Sequence, residues 1–121
     1  MNEKEKFERI KRNTEEIVKE SELQALLKEK KNPSAYIGMA CTGKIHIAYF
    51  VPLMKIKDFL DAGFEFKILL ADLHAYLDDQ KAPFDLLEKR TIYYKEILEA
   101  MLKSINTNTK NLKWVKGSDF Q

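Results

Sequence analysis

The sequence predicts an α/β protein: helices at the N-terminus, then a βαβαβ half with a parallel sheet. Three observations carry this. Short apolar runs, AYIGMA, ILLA and LKWV, alternate with long stretches of helical periodicity. Gly63 and the polar run SINTNTKN punctuate the joins from helix to strand. The resulting order of strand, helix, strand, helix, strand predicts parallel pairing with right-handed crossovers.

Residues 3 to 30 carry helical spacing, through Phe7, Ile10, Ile17 and Val18, then Leu23, Leu26 and Leu27. Ser21 with Gln24 resembles a capping box, so a second helix is expected to begin at Glu22. Lys28 to Lys31 close it with charge of the sign the helix dipole favours, and Pro33 stops it. Ala35 to Ala40 reads as a short buried strand, followed by the turn CTGK. Phe50, Leu53, Ile56, Phe59 and Leu60 form a helical stripe within Ile45 to Ala62, which Gly63 ends as a left-handed cap. Pro52 lacks an N–H and is expected to kink the first turns. Phe64 to Asp72, FEFKILLAD, is the clearest strand. Its continuous ILLA run suggests a parallel strand covered on both faces. Pro83 and Asp85 suit the first turn of the next helix. That helix runs to about Lys103 and offers Leu86, Leu87, Ile97, Leu98, Met101 and Leu102 for burial. Leu112 to Val115 is a third strand, and GSDFQ follows it.

The bulk composition fits this picture and excludes others. The 121 residues make one ordinary domain's worth of chain, and 45% apolar residues can build a core. Residues 1–32 form an N-terminal helical segment and 33–121 the α/β part. The net charge of +2, from 21 Lys and Arg against 19 Asp and Glu, is too small to argue for nucleic acid by itself. No apolar run approaches the roughly 18 residues of a membrane span, and the charged N-terminus has no secretory h-region. The single Cys41 suits a reducing, cytosolic setting.

In parallel sheets ligands bind beyond the carboxyl ends of the strands. The segments there are MACTGKIH, ADLHAY and GSDFQ, and both histidines of the chain fall in them. Thr42, Gly43 and Lys44 lead into a helix N-terminus, where free N–H groups favour an anion and His46 can donate to a phosphate oxygen. The turn lacks the first Gly and the Lys-Ser/Thr ending of a Walker A loop, so an ordinary βα turn remains the alternative. His74 is either a structural residue or a ligand contact. Two histidines and one cysteine match no metal-site spacing, so no metal site is expected. A Cys41–histidine nucleophilic pair has no supporting signature. Tyr36, on a strand taken to be buried, is either a core tyrosine or the hydrogen-bond partner of a substrate hydroxyl. Tyr93, Tyr94 and Trp114 read as packing residues.

YIGMACTGKIHIAYFVP, ILLADLHAYL and KGSDFQ together resemble the tyrosyl-tRNA synthetase family, in its archaeal and eukaryotic cytosolic branch. The resemblance covers essentially the whole chain, with three motifs in order and at the right spacing. It implies a class I aminoacyl-tRNA synthetase with a Rossmann-like catalytic domain. The class signature of His, an apolar residue, Gly and His corresponds here to His46, Ile47, Ala48 and Tyr49. Ala48 adds a methyl group, and Tyr49 can hydrogen-bond but carries no positive charge at neutral pH.

The resemblance further implies formation of tyrosyl-adenylate from tyrosine and ATP, then transfer of the tyrosyl group to tRNA(Tyr). By similarity, His46 and Thr42 are the catalytic contacts to the phosphates. Gly38, Ala40, Thr42, Gly43, His46 and Tyr49 bind ATP. Tyr36, Leu69, Ala71, His74, Phe120 and Gln121 bind tyrosine. Mg2+ is expected with ATP, without an identified protein ligand. A homodimer, a cytoplasmic location and no membrane association complete the expectation. Members of the family continue well past the third strand, so the resemblance implies an N-terminal portion, weak or inactive alone. A tryptophanyl-tRNA synthetase-like enzyme and a non-catalytic synthetase-derived module are the alternatives.

Overall fold

The computed structural model describes residues 1–40, 47–71 and 84–116. Its elements run α1 (Glu3–Lys11), α2 (Glu20–Glu29), β1 (Ser34–Ala40), a 3-10 turn (Ile47–Tyr49), α3 (Phe50–Asp61), β2 (Glu65–Ala71), α4 (Phe84–Ser104) and β3 (Leu112–Lys116). The three strands form a parallel sheet in the order β1-β2-β3. The predicted α/β class and the three strands therefore stand, with β2 central.

Helices α3 and α4 cover one face of this sheet. Leu53, Ile56 and Leu60 of α3 and Tyr94, Leu98 and Leu102 of α4 enclose Phe66, Ile68 and Leu70 of β2, with Leu112 of β3. Alternate strand residues face alternate sides, so Glu65, Lys67 and Leu69 lie on the other face. Glu65 and Lys67 are exposed there. Among the described residues no element covers this side, where the ILLA run predicts a strand covered on both faces. FEFKI alternates as a half-buried strand does, and Leu69 extends apolar character to this side.

The corner between α3 and β2 is a complete Schellman motif. Gly63 has φ +90°, its N–H donates to the Leu60 carbonyl, and the Phe64 N–H donates to that of Phe59. The hydrophobic contact that accompanies such caps is Phe59 against Phe64, edge-on at 5.0 Å between centroids. Asn106 (φ 59°) builds the same cap after α4, with the Thr107 N–H on the Leu102 carbonyl and the Asn106 N–H on that of Lys103. Asn13 (φ 62°) sits third in a turn closed by the Thr14 N–H on the Lys11 carbonyl. That is the left-handed position of a type II turn.

Several local expectations are revised. Helix α2 begins at Glu20, preceded by Lys19, which makes no side-chain cap. Ser21 is therefore inside the helix rather than its cap. Residues 12–19 are not helical, which breaks the expected run over 3–30 and leaves Val18 85% exposed, and Ile97 is 36% exposed, so helical spacing overcounted the buried stripe. The stripe before Gly63 is a 3-10 turn followed by an α-helix, and Pro52 is the third residue of α3. At that position the N–H has no intrahelical partner, so its loss costs α3 no hydrogen bond.

The N-terminal helices attach through a second apolar cluster. Phe7 and Ile10 of α1 and Leu27 of α2 pack with Ala62 and Phe64 at the α3–β2 corner. Ionic contacts reinforce it. Arg12 donates to Asp58 at 2.6 Å, and Arg9 reaches Asp61 at 3.3 Å. No helix among the described residues is long and apolar enough to cross a membrane.

Candidate functional site

The sheet face away from α3 and α4, open among the described residues, divides into two halves, and the division follows from strand register. Tyr36 pairs with Lys67, which pairs with Lys113, so these three form one row across the sheet. Gly38, Leu69 and Val115 form the next row toward the carboxyl ends. Ala40 and Ala71 follow as register partners. The amino half of the face is therefore polar and charged, with Ser34, Glu65, Lys67 and Lys113. The carboxyl half is built of small and apolar residues. Tyr36 stands at the boundary.

The packing shows why this half suits a ligand. Gly38 is exposed, and a Cβ built on it would meet nothing within 4 Å. The backbone of β1 is thus bare at this point, where a planar group can lie directly against it. Leu69, beside it on β2, is half-buried and offers an apolar flank. Tyr36 is 76% exposed, which corrects the expectation that it is buried. Within this chain its phenol projects from the open face with its hydroxyl available to a ligand.

The sheet thus gathers Tyr36, Gly38 and Leu69 onto one surface, with Ala40 and Ala71 placed on it by register. Tyr49 is not part of that surface. Its half-buried ring meets the fully buried Tyr94 edge-on, 6.2 Å between centroids, on the helix-covered side of the sheet. Trp114 also packs against the helix-side core. Thr42, Gly43, His46, His74, Phe120 and Gln121 lie outside the described residues. Lys67, Lys113 and Val115 complete the open face and escaped the sequence reading. Period-two alternation in FEFKI and LKWVK was the signal that could have found them.

Similarity to known proteins bears on what this face does. The family described as tRNA synthetases class I (W and Y) matches residues 28–121. The cytoplasmic tyrosine–tRNA ligase of Gallus gallus is 53% identical over 117 residues, covering 97% of this chain and 22% of the relative. That of Danio rerio is 54% identical over 117 residues, with the same coverage. Among solved structures, the tyrosyl-tRNA synthetase of Archaeoglobus fulgidus in complex with L-tyrosine superposes with a TM-score of 0.85 at 37% identity. It covers 99% of this chain and 36% of that one. The chain spans about a fifth of the length of these curated relatives, at 22%. With the match extending over residues 28–121, the chain belongs to the class I tRNA synthetases of the tryptophan and tyrosine type.

Proposed function

We propose that the chain is part of a tyrosine–tRNA ligase, which activates L-tyrosine with ATP and transfers the tyrosyl group to tRNA(Tyr). The observation that carries this reading is the carboxyl half of the open face. An exposed phenol, a glycine with empty space above it and an aliphatic flank lie together on two adjacent strands. Such a surface fits an aromatic side chain with a hydroxyl at its end. The tyrosine–tRNA ligases at 53% and 54% identity support the same substrate.

In this reading Tyr36 hydrogen-bonds the substrate hydroxyl, and Leu69, Ala71, His74, Phe120 and Gln121 wall the side-chain pocket. Gly38 and Ala40 let substrate and adenylate lie close to β1. Thr42, Gly43 and His46 belong to the ATP site, with Mg2+ accompanying the nucleotide, whereas Tyr49, expected there too, has its ring against Tyr94 in the core. The tyrosine carboxylate attacks the α-phosphorus and pyrophosphate leaves. The tyrosyl group then passes from the adenylate to the end of the tRNA. Thr42 and His46 hold the phosphates as charge develops, so the protein's share is positioning and electrostatic stabilisation. A cytoplasmic, homodimeric enzyme is part of the same reading, and the names of the two relatives place those enzymes in the cytoplasm.

Tyrosine-dependent pyrophosphate exchange, measured on the protein at its natural length, tests the proposal. Exchange with tyrosine and not with tryptophan is expected. Tyr36→Phe removes one hydrogen bond to the substrate, and the preference for tyrosine over phenylalanine should narrow by about 5- to 10-fold. Folding should be unaffected, because the phenol is exposed. Exchange driven by tryptophan, or an unchanged preference in Tyr36→Phe, would reject the assignment.

A further inference from the structure

The N-terminus of α1 and the C-terminus of α2 border an open groove of about 730 Å³. Lys4, Lys6, Lys28, Lys30 and Lys31 line it, against only Glu3 and Glu29. The basic residues of the first 32 positions divide cleanly. Arg9, Lys11, Arg12 and Lys19 each pair with a carboxylate. The other five have no carboxylate partner among the described residues, and all five line the groove. The two helices meet there: a methyl built on Gly63 would stand 3.8 Å from Lys6 Nζ and 3.9 Å from the Lys31 carbonyl.

The α2 dipole accounts for positive charge at Lys28 to Lys31, but helix stability does not account for the lysines of α1 that share the groove. Lys4 and Lys6 lie near the N-terminal end of α1, where the dipole disfavours cations and adds its own positive field. Lys30 and Lys31 lie beyond the last residue of α2. Five flexible point charges around an open groove also lack the buried polar group that would fix one small anion. They suit a polyanion whose charges are distributed along a chain.

We propose that this groove is a contact surface for the phosphate backbone of the RNA that the enzyme charges. The inference rests on the ligase reading given above. The groove lies at the amino end of β1, and β1 spans seven residues, about 20 Å, to its carboxyl end. The contact therefore falls on the body of the RNA, away from its reacting end, and it strengthens binding without touching adenylate formation.

Two variants of the protein at its natural length test this, with a transcript of the tRNA it charges. One carries Lys28→Ala, Lys30→Ala and Lys31→Ala, and the other carries Lys4→Ala and Lys6→Ala. Affinity is measured across a range of salt concentrations. The triple variant should lower the slope of log affinity against log salt by about 2 to 3, since each lost duplex phosphate contact removes roughly 0.9. KM for tRNA should rise on the order of 10-fold, with tyrosine-dependent pyrophosphate exchange unchanged. Arginine at the same three positions should restore the slope. An unchanged slope and KM in both alanine variants would overturn the proposal. If the alanine variants lower the salt slope but the parent enzyme shows no tyrosine-dependent exchange, the ligase reading fails while the RNA contact stands.

Discussion

Gly63 holds φ +90° at the end of α3, and its backbone N–H closes half of the cap that turns the chain into β2. A Cβ there would meet only ordinary contacts, at 3.8 Å or more. The cost of Gly63→Ala is therefore backbone strain rather than a clash, about 1–2 kcal/mol. A fall in Tm of several degrees by thermal unfolding is the expected outcome, and an unchanged Tm would show that the cap tolerates a side chain. This glycine was legible in the sequence because it closed a periodic helical stripe. Asn106 makes the same turn and was hidden in a polar run, since asparagine enters the left-handed region without being obliged to. The cost of Pro52 was not legible, because it depends on where the helix starts: third in α3, its missing N–H breaks no intrahelical bond. Tyr36 was legible as a strand residue. Its exposure was not, because burial of a strand face depends on which elements lie over it.

At the scale of elements, α1 is held to α3 by charges that sequence periodicity could not pair. Lys55 Nζ donates to the carbonyls of Ile10 and Arg12, at 2.8 and 2.6 Å, and so satisfies the exposed end of α1. The same ammonium lies 3.2 Å from Asp58, whose other oxygen accepts from Arg12. Asp58 is 5% exposed, yet its partners lie 46 and three residues away. In the sequence these three read as ordinary surface charges. The Asp58 carboxylate, by hydrogen bond and by charge, raises the Arg12 guanidinium above its ordinary value. A raised basic group contributes stability below its unfolded value and loses it only as pH climbs through the folded one. The Arg12 contribution therefore holds through the neutral range. Asp58→Ala should cost about 1–3 kcal/mol by urea unfolding. The cost stays below the 3–5 of a fully buried pair because the Arg12 and Lys55 side chains, 55% and 24% exposed, can rehydrate. A loss under about 0.5 kcal/mol would show that the contact only orients α1.

At the scale of the molecule, the core has two parts, and they were unequally legible. The main core follows from strands and helices that alternate in sequence, so apolar periodicity revealed it. The second joins Phe7, Ile10 and Leu27 to Ala62 and Phe64 across the length of β1 and α3, a proximity no local pattern encodes. The same limit hid that α3 and α4 share one side of the sheet, although residue types along the other side announced its apolar carboxyl half. The second core makes α1 and α2 integral to the fold rather than a detachable leader. Each of Phe7, Ile10 and Leu27 contributes about 1.5–3 kcal/mol through burial. Together they approach the roughly 5–15 kcal/mol by which a whole domain is stable. Removing residues 1–32 also leaves Phe64 facing water and Asp58 without Arg12. A variant beginning at Pro33 should therefore lose cooperative unfolding. The expected signs are absent near-UV circular dichroism, strong dye binding to exposed apolar surface and no sharp calorimetric transition. A sharp transition near the parent Tm would show that the sheet and its two helices stand alone, and would reduce the N-terminal helices to an accessory surface.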